Sequence, residues 1–362
     1  MNLQLLSLSF KVVRKITNIN IQNTIFGLMS NISKVALYFP TKTYTSEDFF
    51  TDFPEERESK TWKKLGISKR HIIGENEVPS DMGFKAAEKL IELYPELKSD
   101  IDFILFTSPE RDYYTPVTAG ILQHRLDLGN NVGCMDVHQG CSSFIYLVSH
   151  ADGLIKIGAA SKVLVIAVSS LSKKFHAKDK ANRFIFGDGA AAFIVEKDTT
   201  ANFHSYYFGN DGEKKDKIII LDGEHRSPLN EKSFKPFQNS NGEEQFPGHF
   251  YQDGAGVFRF TLDRVPKMIN AVLEKNQLTK DDIDLYLLHQ PNEFIVKTLA
   301  RIVKLPEEKV ILDVENYGNT VSVTIPILIH NLYKNNKIKK GQKILIAAFG
   351  TGLSWNACIW ET

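Results

Sequence analysis

Apolar and polar residues alternate along this chain in two rhythms. Short runs that are continuously apolar, or apolar at every second position, are the signature of strands. They occur at residues 35–39, 101–106, 163–169, 190–195, 283–288, 310–314, 344–349 and 353–360. Between them lie segments where apolar residues return every three or four positions, as on a helix with one face inward. These predict helices over 81–94, with Met82, Phe84, Ala86, Ala87, Leu90 and Ile91 on the inner face, and over 116–128, 257–276, 294–303 and 321–333. A more polar stretch, 46–64, is also predicted helical and leads to a loop and short strand at 66–73. Strands and helices in such alternation predict a layered α/β fold.

One stretch, residues 130–162, concentrates the chemistry. A strand is predicted to end near Val137, Gly140 permits a tight turn, and a helix starts just after Cys141. Phe144, Ile145, Leu147, Val148, Ala151, Leu154 and Ile155 give that helix a broad apolar face, so it is predicted to be largely buried. Cys141 then sits at a helix amino end, where unpaired N–H groups and the macrodipole favour a thiolate. A free thiol titrates near about 8.5, and this placement is expected to lower it into the neutral range. Two more chemistry-bearing residues stand at strand ends: His289 in Leu-Tyr-Leu-Leu-His-Gln-Pro-Asn, and Asn319 in Asn316-Tyr-Gly-Asn-Thr-Val-Ser. The carboxyl ends of strands are where open α/β sheets gather ligands and catalysts. Singly, each residue has a plainer reading: a small buried hydrophobe, a core histidine, a turn residue after Gly318. Together they supply the nucleophile, base and oxyanion donor that thiol catalysis needs.

At 362 residues the chain is too long for one small core, so two domains or two fused halves are expected. Phe186-Gly-Asp-Gly-Ala-Ala-Ala and Phe349-Gly-Thr-Gly-Leu-Ser both place a glycine turn before a strand, which points to internal duplication. The expected divisions are an extension at 1–28, a first half at 29–200 with the cysteine, a connection at 201–256, and a second half at 257–362 with the histidine and asparagine. Residues 1–28 hold Lys11, Arg14 and Lys15 but no acidic residue; they have the charge of a transit peptide without a secretory apolar core, and the folded part is expected to begin at Met29. The connection is polar but carries Phe234, Phe237, Phe246, Phe250 and Tyr251, which favours a packed flap over a free linker.

Composition adds exclusions. A net charge of +1 gives no global field to recruit nucleic acid or a membrane. No run reaches the roughly 18 apolar residues of a membrane span. Three cysteines (Cys134, Cys141 and Cys358) make no disulfide framework and fit a reducing cytoplasm. Cys134, His138 and Cys141, even with Asp136, match no closed zinc site, so no metal is expected. Gly187-Asp-Gly-Ala-Ala-Ala imitates a dinucleotide fingerprint, but a fingerprint opens a helix and this one opens a strand.

With these residues placed, the chain resembles β-ketoacyl-ACP synthase III of the thiolase superfamily, from about Lys34 to Trp360. The landmarks are Gly66-Ile-Ser-Lys-Arg-His, Asp81-Met-Gly-Phe-Lys-Ala-Ala, Asp136 to Phe144, Phe186-Gly-Asp-Gly-Ala, Val257-Phe-Arg, His289-Gln-Pro-Asn, Tyr317-Gly-Asn-Thr and Ala348-Phe-Gly-Thr-Gly. The resemblance implies a five-layered αβαβα fold of two duplicated halves, a homodimer, and no cofactor. It implies that Cys141 takes an acyl group from coenzyme A or an acyl carrier protein. Malonyl-ACP then loses CO2 while His289 and Asn319 donate to its thioester carbonyl, and the carbanion attacks the acyl-Cys. The N–H groups of Cys141 and Thr351 form the implied oxyanion hole, and Phe349, Gly350 and Asn292 the implied substrate pocket. Arg259, Lys297 and Arg301 are the implied basic rim for an acidic carrier.

Three departures bear on the substrate. The family's adenine-stacking tryptophan falls at Lys60, with Trp62 two positions out of register. The docking arginine after His-x-x-Asn is replaced by Glu293-Phe294. His138-Gln-Gly-Cys-Ser-Ser replaces an alanine-rich sequence around the nucleophile, so a specialised paralogue is expected. Plain acyl transfer to an alcohol or amine, and an inactive partner subunit, are the other readings weighed.

Overall fold

The structure, a computed structural model, describes residues 29–239, 242 and 244–362; the expectations for residues 1–28 lie outside the described residues. Two sheets form its frame. The first contains β1 (Met29–Tyr38), β2 (Phe103–Thr107), β3 (Gly133–Asp136), β4 (Lys162–Ser169) and β5 (Gly189–Asp198), in the order β1-β5-β4-β2-β3. The second contains β6 (Asn202–Phe203), β7 (Tyr207–Asn210), β8 (Leu285–Leu288), β9 (Lys343–Gly350) and β10 (Ser354–Glu361), with β8-β9-β10 in sequence and both β6 and β7 on the far side of β10. The pairings repeat. β2 runs parallel to β4 and β4 antiparallel to β5; likewise β8 runs parallel to β9 and β9 antiparallel to β10. Each glycine turn noted in the sequence leads into the equivalent strand, β5 or β10. The chain is thus one α/β design used twice.

Among the described residues, six helices of eight residues or more cover these sheets: α1 (Pro79–Leu93), α2 (Thr118–Arg125), α3 (Ser143–Lys156), α4 (Gly254–Lys275), α5 (Glu293–Val303) and α6 (Thr324–Lys334). Alternation along the strands assigns the layers. In β4, Val163 and Val165 pack with Phe144, Leu147, Val148, Leu328 and Ile329 of α3 and α6. Leu164, Ile166 and Val168 face the other way, onto Met82, Ala86 and Leu90 of α1 and Leu122 of α2. In β9, Ile344, Ile346 and Ala348 join the α3–α6 core, whereas Leu345, Ala347 and Phe349 meet Val265, Met268, Val296 and Leu299 of α4 and α5. The order is therefore helices, sheet, helices α3 and α6, sheet, helices: five layers. Strands with covered faces on both sides read as continuous apolar runs, which is why the sequence announces them so clearly.

Two expected elements differ. The polar stretch 46–64 is not one helix but Ser46–Asp52, a turn at Pro54–Glu56 and a turn at Lys60–Lys63. Pro54 cannot continue the first helix, and it pushes Phe53 out of the helical region, to φ −133° and ψ 73°. The strand expected at 310–314 shrinks to a single bridge between Val310 and Tyr286. Gln290 takes over its ladder: its amide donates to Ile311 O at 3.2 Å, and its oxygen accepts from Asp313 N at 3.2 Å. A side chain that satisfies the backbone in this way removes the reason to extend.

Trp360 closes the central layer. It is fully buried, and its indole N–H donates to Asn31 Oδ1 at 2.9 Å, tying the last strand to the first. Trp360→Ala is expected to lower unfolding free energy by about 3–5 kcal/mol, read from the midpoint of urea denaturation.

Candidate active site

Both central helices begin at a functional turn. α3 starts after the single turn Gly140–Ser142, which carries Cys141, and α6 starts after Val321–Val323, two residues beyond Asn319. The two turns touch one another, and the first also touches β9. The duplicated fold thus brings equivalent corners of its two halves together.

Cys141 is held from below by β9 and the turn that follows it. A Cβ on Gly350 would lie 2.6 Å from Cys141 Cβ and 3.0 Å from its sulfur, so only glycine fits. Gly140, with φ +59°, turns the chain into the cysteine, and a Cβ there would press on Thr351. Buried side chains lock the two segments: Ser142 Oγ meets Ser354 Oγ at 2.7 Å, Ser354 donates to Thr351 O at 2.6 Å, and Asn356 Nδ2 donates to Ser142 O at 3.0 Å.

Cys141 is 8% exposed and packs against Leu171, Phe186 and Val321. This corrects the expectation of a depressed pKa, because burial pushes the Cys141 thiol up to about 12. The Thr351 N–H, the residue's own N–H and the Thr351 hydroxyl pull the other way, but withdrawal from water outweighs them. The resting nucleophile is a neutral thiol. The two N–H groups expected to form the oxyanion hole are thus among the groups that pull the thiol's pKa down.

Val321 joins the three expected residues. It packs on Cys141 while its backbone sits at φ +53°, a region that costs a β-branched residue roughly 1–3 kcal/mol. Asn319 holds it there: its carboxamide oxygen accepts the Val321 N–H at 2.9 Å. With the oxygen committed, the amide has its NH2 donors to offer. His289 is 1% exposed, and burial lowers its pKa to about 3, so the imidazole is neutral. Its Nδ1 lies 2.7 Å from Thr324 Oγ1, which also reaches Val321 O at 3.2 Å, and its ring meets Phe349 edge-on at 5.4 Å. Cys141 packs on this strained valine, Asn319 holds its N–H, and His289 is linked to its carbonyl through Thr324.

A cavity of about 590 Å³ opens beside Cys141, lined by Leu171, Phe186, Phe250, Val321 and Thr351 among others. The connection between the halves supplies part of this wall, through Ile218 to Ile220 and Phe250. The family description 3-Oxoacyl-[acyl-carrier-protein (ACP)] synthase III matches residues 135–212, and its C-terminal counterpart matches residues 273–362. Beta-ketoacyl-[acyl-carrier-protein] synthase III 2 of Staphylococcus epidermidis is 32% identical over 327 residues, spanning 90% of this chain and 96% of its own. Beta-ketoacyl-[acyl-carrier-protein] synthase III of Sulfurimonas denitrificans is 31% identical over 331 residues, spanning 90% and 96%. A crystal structure of a 3-oxoacyl-(acyl-carrier-protein) synthase III superposes with a TM-score of 0.88 at 31% identity, covering 92% of this chain and all 100% of that one. The chain belongs to the β-ketoacyl-ACP synthase III family. It is an acyl-transferring enzyme of the thiolase-like fold.

Not every residue expected at the site of this synthase III-like enzyme lines the cavity: Cys141 and Thr351 do, whereas His289 and Asn319 are buried behind Val321 and its neighbours. Phe349 points into the core beneath α4 and α5 and supports His289 instead of the sulfur. Asn292 caps α5, accepting from Ile295 N at 2.9 Å. Lys297 is paired with Glu293 at 2.6 Å, whereas Arg259 and Arg301 are exposed without an ion partner among the described residues. Trp62 is wedged between Phe49 and Phe184, at 5.0 and 4.9 Å, with its N–H given to Glu56. Asp136, weighed as a metal ligand, accepts from Thr118 N and Ala119 N at the start of α2.

Sequence reasoning missed Thr324 and the strain at Val321, since nothing in a run of apolar residues marks a left-handed valine. It also passed over Arg70, although the motif containing it was noted. Arg70 is fully buried, stacks on Tyr44 and Phe184 at 4.9 Å each, and packs its stem under Gly187 and Gly318. Its Nε and Nη1 find no acceptor among the described residues. The stem is a shim beneath the loop that carries Asn319.

The buried thiol gives a pH test. Cys141 holds its proton between about 9 and 12, where the unfolded chain releases it, so its contribution to stability is lost as pH rises through that window. Alkylation of Cys141 by iodoacetamide is expected to keep rising about tenfold per pH unit beyond pH ~9.5, where an ordinary thiol levels off. Peptide mass spectrometry across pH 7–11 reads the profile; a plateau near neutrality contradicts the neutral-thiol state.

Proposed function

We propose that the protein is a decarboxylating condensing enzyme that joins an acyl group on Cys141 to malonyl-ACP. The observation that carries this reading is the meeting of the Cys141 turn with the Val321–Val323 turn beside one cavity, Val321 being held by Asn319 on one side and by the Thr324 that faces His289 on the other. In the first half-reaction the thiol attacks a thioester and its proton passes to the neutral His289. The thioester oxygen, negative in the tetrahedral intermediate, is held by the N–H groups of Cys141 and Thr351. The proton leaves with the departing thiol. In the second half-reaction the malonyl thioester loses CO2, and the enolate oxygen accepts from His289 and from the Asn319 amide. The carbanion then attacks the acyl-Cys and expels the sulfur as a thiolate, which takes a proton from solvent to restore the resting thiol.

These steps ask opposite things of His289. It must accept a proton at Nε2 in the first and donate from Nε2 in the second. Thr324 suits both, because one hydroxyl faces Nδ1 and Val321 O at once. Donating to Nδ1 places the imidazole proton on Nε2; donating to Val321 O leaves a lone pair for Nδ1–H. Burial keeps both forms neutral, and neutral donors suit an enolate without drawing the substrate carboxylate into an ion pair.

The carrier protein is the expected malonyl donor. Arg259 and Arg301, exposed and unpaired among the described residues, support an acidic partner better than Lys297, which Glu293 neutralises. The open edge of β3 supports a homodimer built across that strand. A specialised paralogue is favoured over the housekeeping enzyme by the polar residues flanking the cysteine, His138 and Gln139.

Purified protein given an acyl-CoA and malonyl-ACP is expected to show an acyl adduct on Cys141 by intact-protein mass spectrometry, labelled CO2 release and a β-ketoacyl-ACP product. Cys141→Ala loses adduct and product. An adduct with no carbon–carbon bond formed from any donor would leave plain acyl transfer as the activity. Thr324→Val is expected to slow condensation about 5-fold, the worth of one net hydrogen bond of about 1 kcal/mol, while Thr324→Ser retains the rate. Because His289 is already neutral, the condensation rate is expected to show no limb from it between pH 5 and 8.

A further inference from the structure

The cavity beside the nucleophile has two kinds of wall. Leu171, Phe186, Val321 and Phe250 gather at the sulfur, whereas Glu110, Lys174, Gln139 and Gln252 line other parts of the same space. Two further carboxylates in the lining are already engaged. Asp222 accepts from Ser227 and Ser233 at 2.6 Å each, and Glu224 pairs with Arg111 at 2.7 Å. The remaining four are not so well served. Gln139 and Gln252 make no side-chain hydrogen bond with the described residues. Glu110 and Lys174 face each other at 3.4 Å, longer than a good charge-assisted hydrogen bond.

A plain alkyl chain filling this space would displace water from these groups and give them nothing in exchange. A substrate that hydrogen-bonds to them recovers what is lost. The polar pair carries no net charge, so an ammonium group would meet Lys174 and a carboxylate would meet Glu110. A hydroxyl group suits both, donating to the carboxylate and accepting from the ammonium.

We propose that the acyl group loaded on Cys141 is a short hydroxyacyl group, whose hydroxyl is read by Glu110 and Lys174 with the amides of Gln139 and Gln252 beside them. The assignment rests on the acyl-enzyme reading and names its substrate class. Acylation follows the usual balance: the Cys141 S–C bond forms, the donor's S–C bond breaks, and the thiol proton leaves with coenzyme A. The apolar collar at the sulfur holds the first carbons, and the hydroxyl lies beyond it.

The test compares acyl-CoA donors of equal length, butyryl-CoA against its 2-, 3- and 4-hydroxy forms, with hexanoyl-CoA as a longer alkyl control. Formation of the Cys141 adduct by the full chain is followed by intact-protein mass spectrometry. One hydroxy form is expected to load at least about 10-fold faster than butyryl-CoA, the return from two hydrogen bonds. Glu110→Leu and Lys174→Met are expected to abolish that preference, bringing the ratio of hydroxybutyryl to butyryl loading down to about one. Glu110→Gln, which keeps shape and an acceptor, retains part of it, and thermal melts of all three variants identify any that fail to fold. Equal loading of alkyl and hydroxy donors by the unaltered protein overturns the assignment and leaves the acyl-enzyme intact. Slowing of every donor alike in the variants also overturns it, since the wall would then read the shared pantetheine arm. No adduct from any donor overturns the acyl-enzyme reading, and this assignment with it.

Discussion

The close approach of Gly350 to Cys141 is the constraint on which the site depends. A single added carbon at residue 350 would collide with the cysteine side chain, so the end of β9 and the head of α3 fit as one piece. The Ser142, Ser354 and Asn356 hydrogen bonds keep that fit from opening, and Val321 closes it from the other half. Because β9 belongs to the second half and α3 to the first, the nucleophile exists as a shaped site only when both halves are packed. Interiors packed this tightly do not deform gradually, which suits a reaction that needs fixed donors around a developing charge.

The same packing sets the electrostatics. Enclosure by Leu171, Phe186 and Val321 makes a thiolate costly, and enclosure of His289 makes an imidazolium costly. Neither member of the pair is charged at rest. Charge must then appear with the substrate, when the arriving thioester supplies an oxygen for the N–H groups of Cys141 and Thr351 to hold. Asn319 contributes through an economy of its own: its oxygen restrains a strained turn, and its nitrogen is left for chemistry. A single residue thus couples backbone strain at Val321 to the orientation of a donor.

Much of this was legible in the residues. The apolar face of α3, from Phe144 to Ile155, follows from helical spacing and is buried as that spacing requires. The strands β4, β5, β9 and β10 stand out because each is covered on both sides. Cys141, His289 and Asn319 were visible because strand ends, glycine turns and rare side chains coincide there. The polar stretch 46–64 misled because charge and propensity suit a helix, while Pro54 forbids one. Residues 310–314 misled because an apolar run says nothing about a distant glutamine that satisfies its backbone. Family resemblance assigns Phe349 to the pocket, but its packing with the α4 and α5 core turns it to His289 instead.

What the sequence by itself determined is the repeated α/β pattern, its family and the identity of the reacting side chains, since periodicity and ordered motifs are written locally. What only the tertiary structure decided is their physical state. Burial depends on atoms far apart in the chain, so the neutral thiol, the neutral imidazole, the left-handed valine beside them and the polar wall of the cavity emerge only when the two halves close on each other.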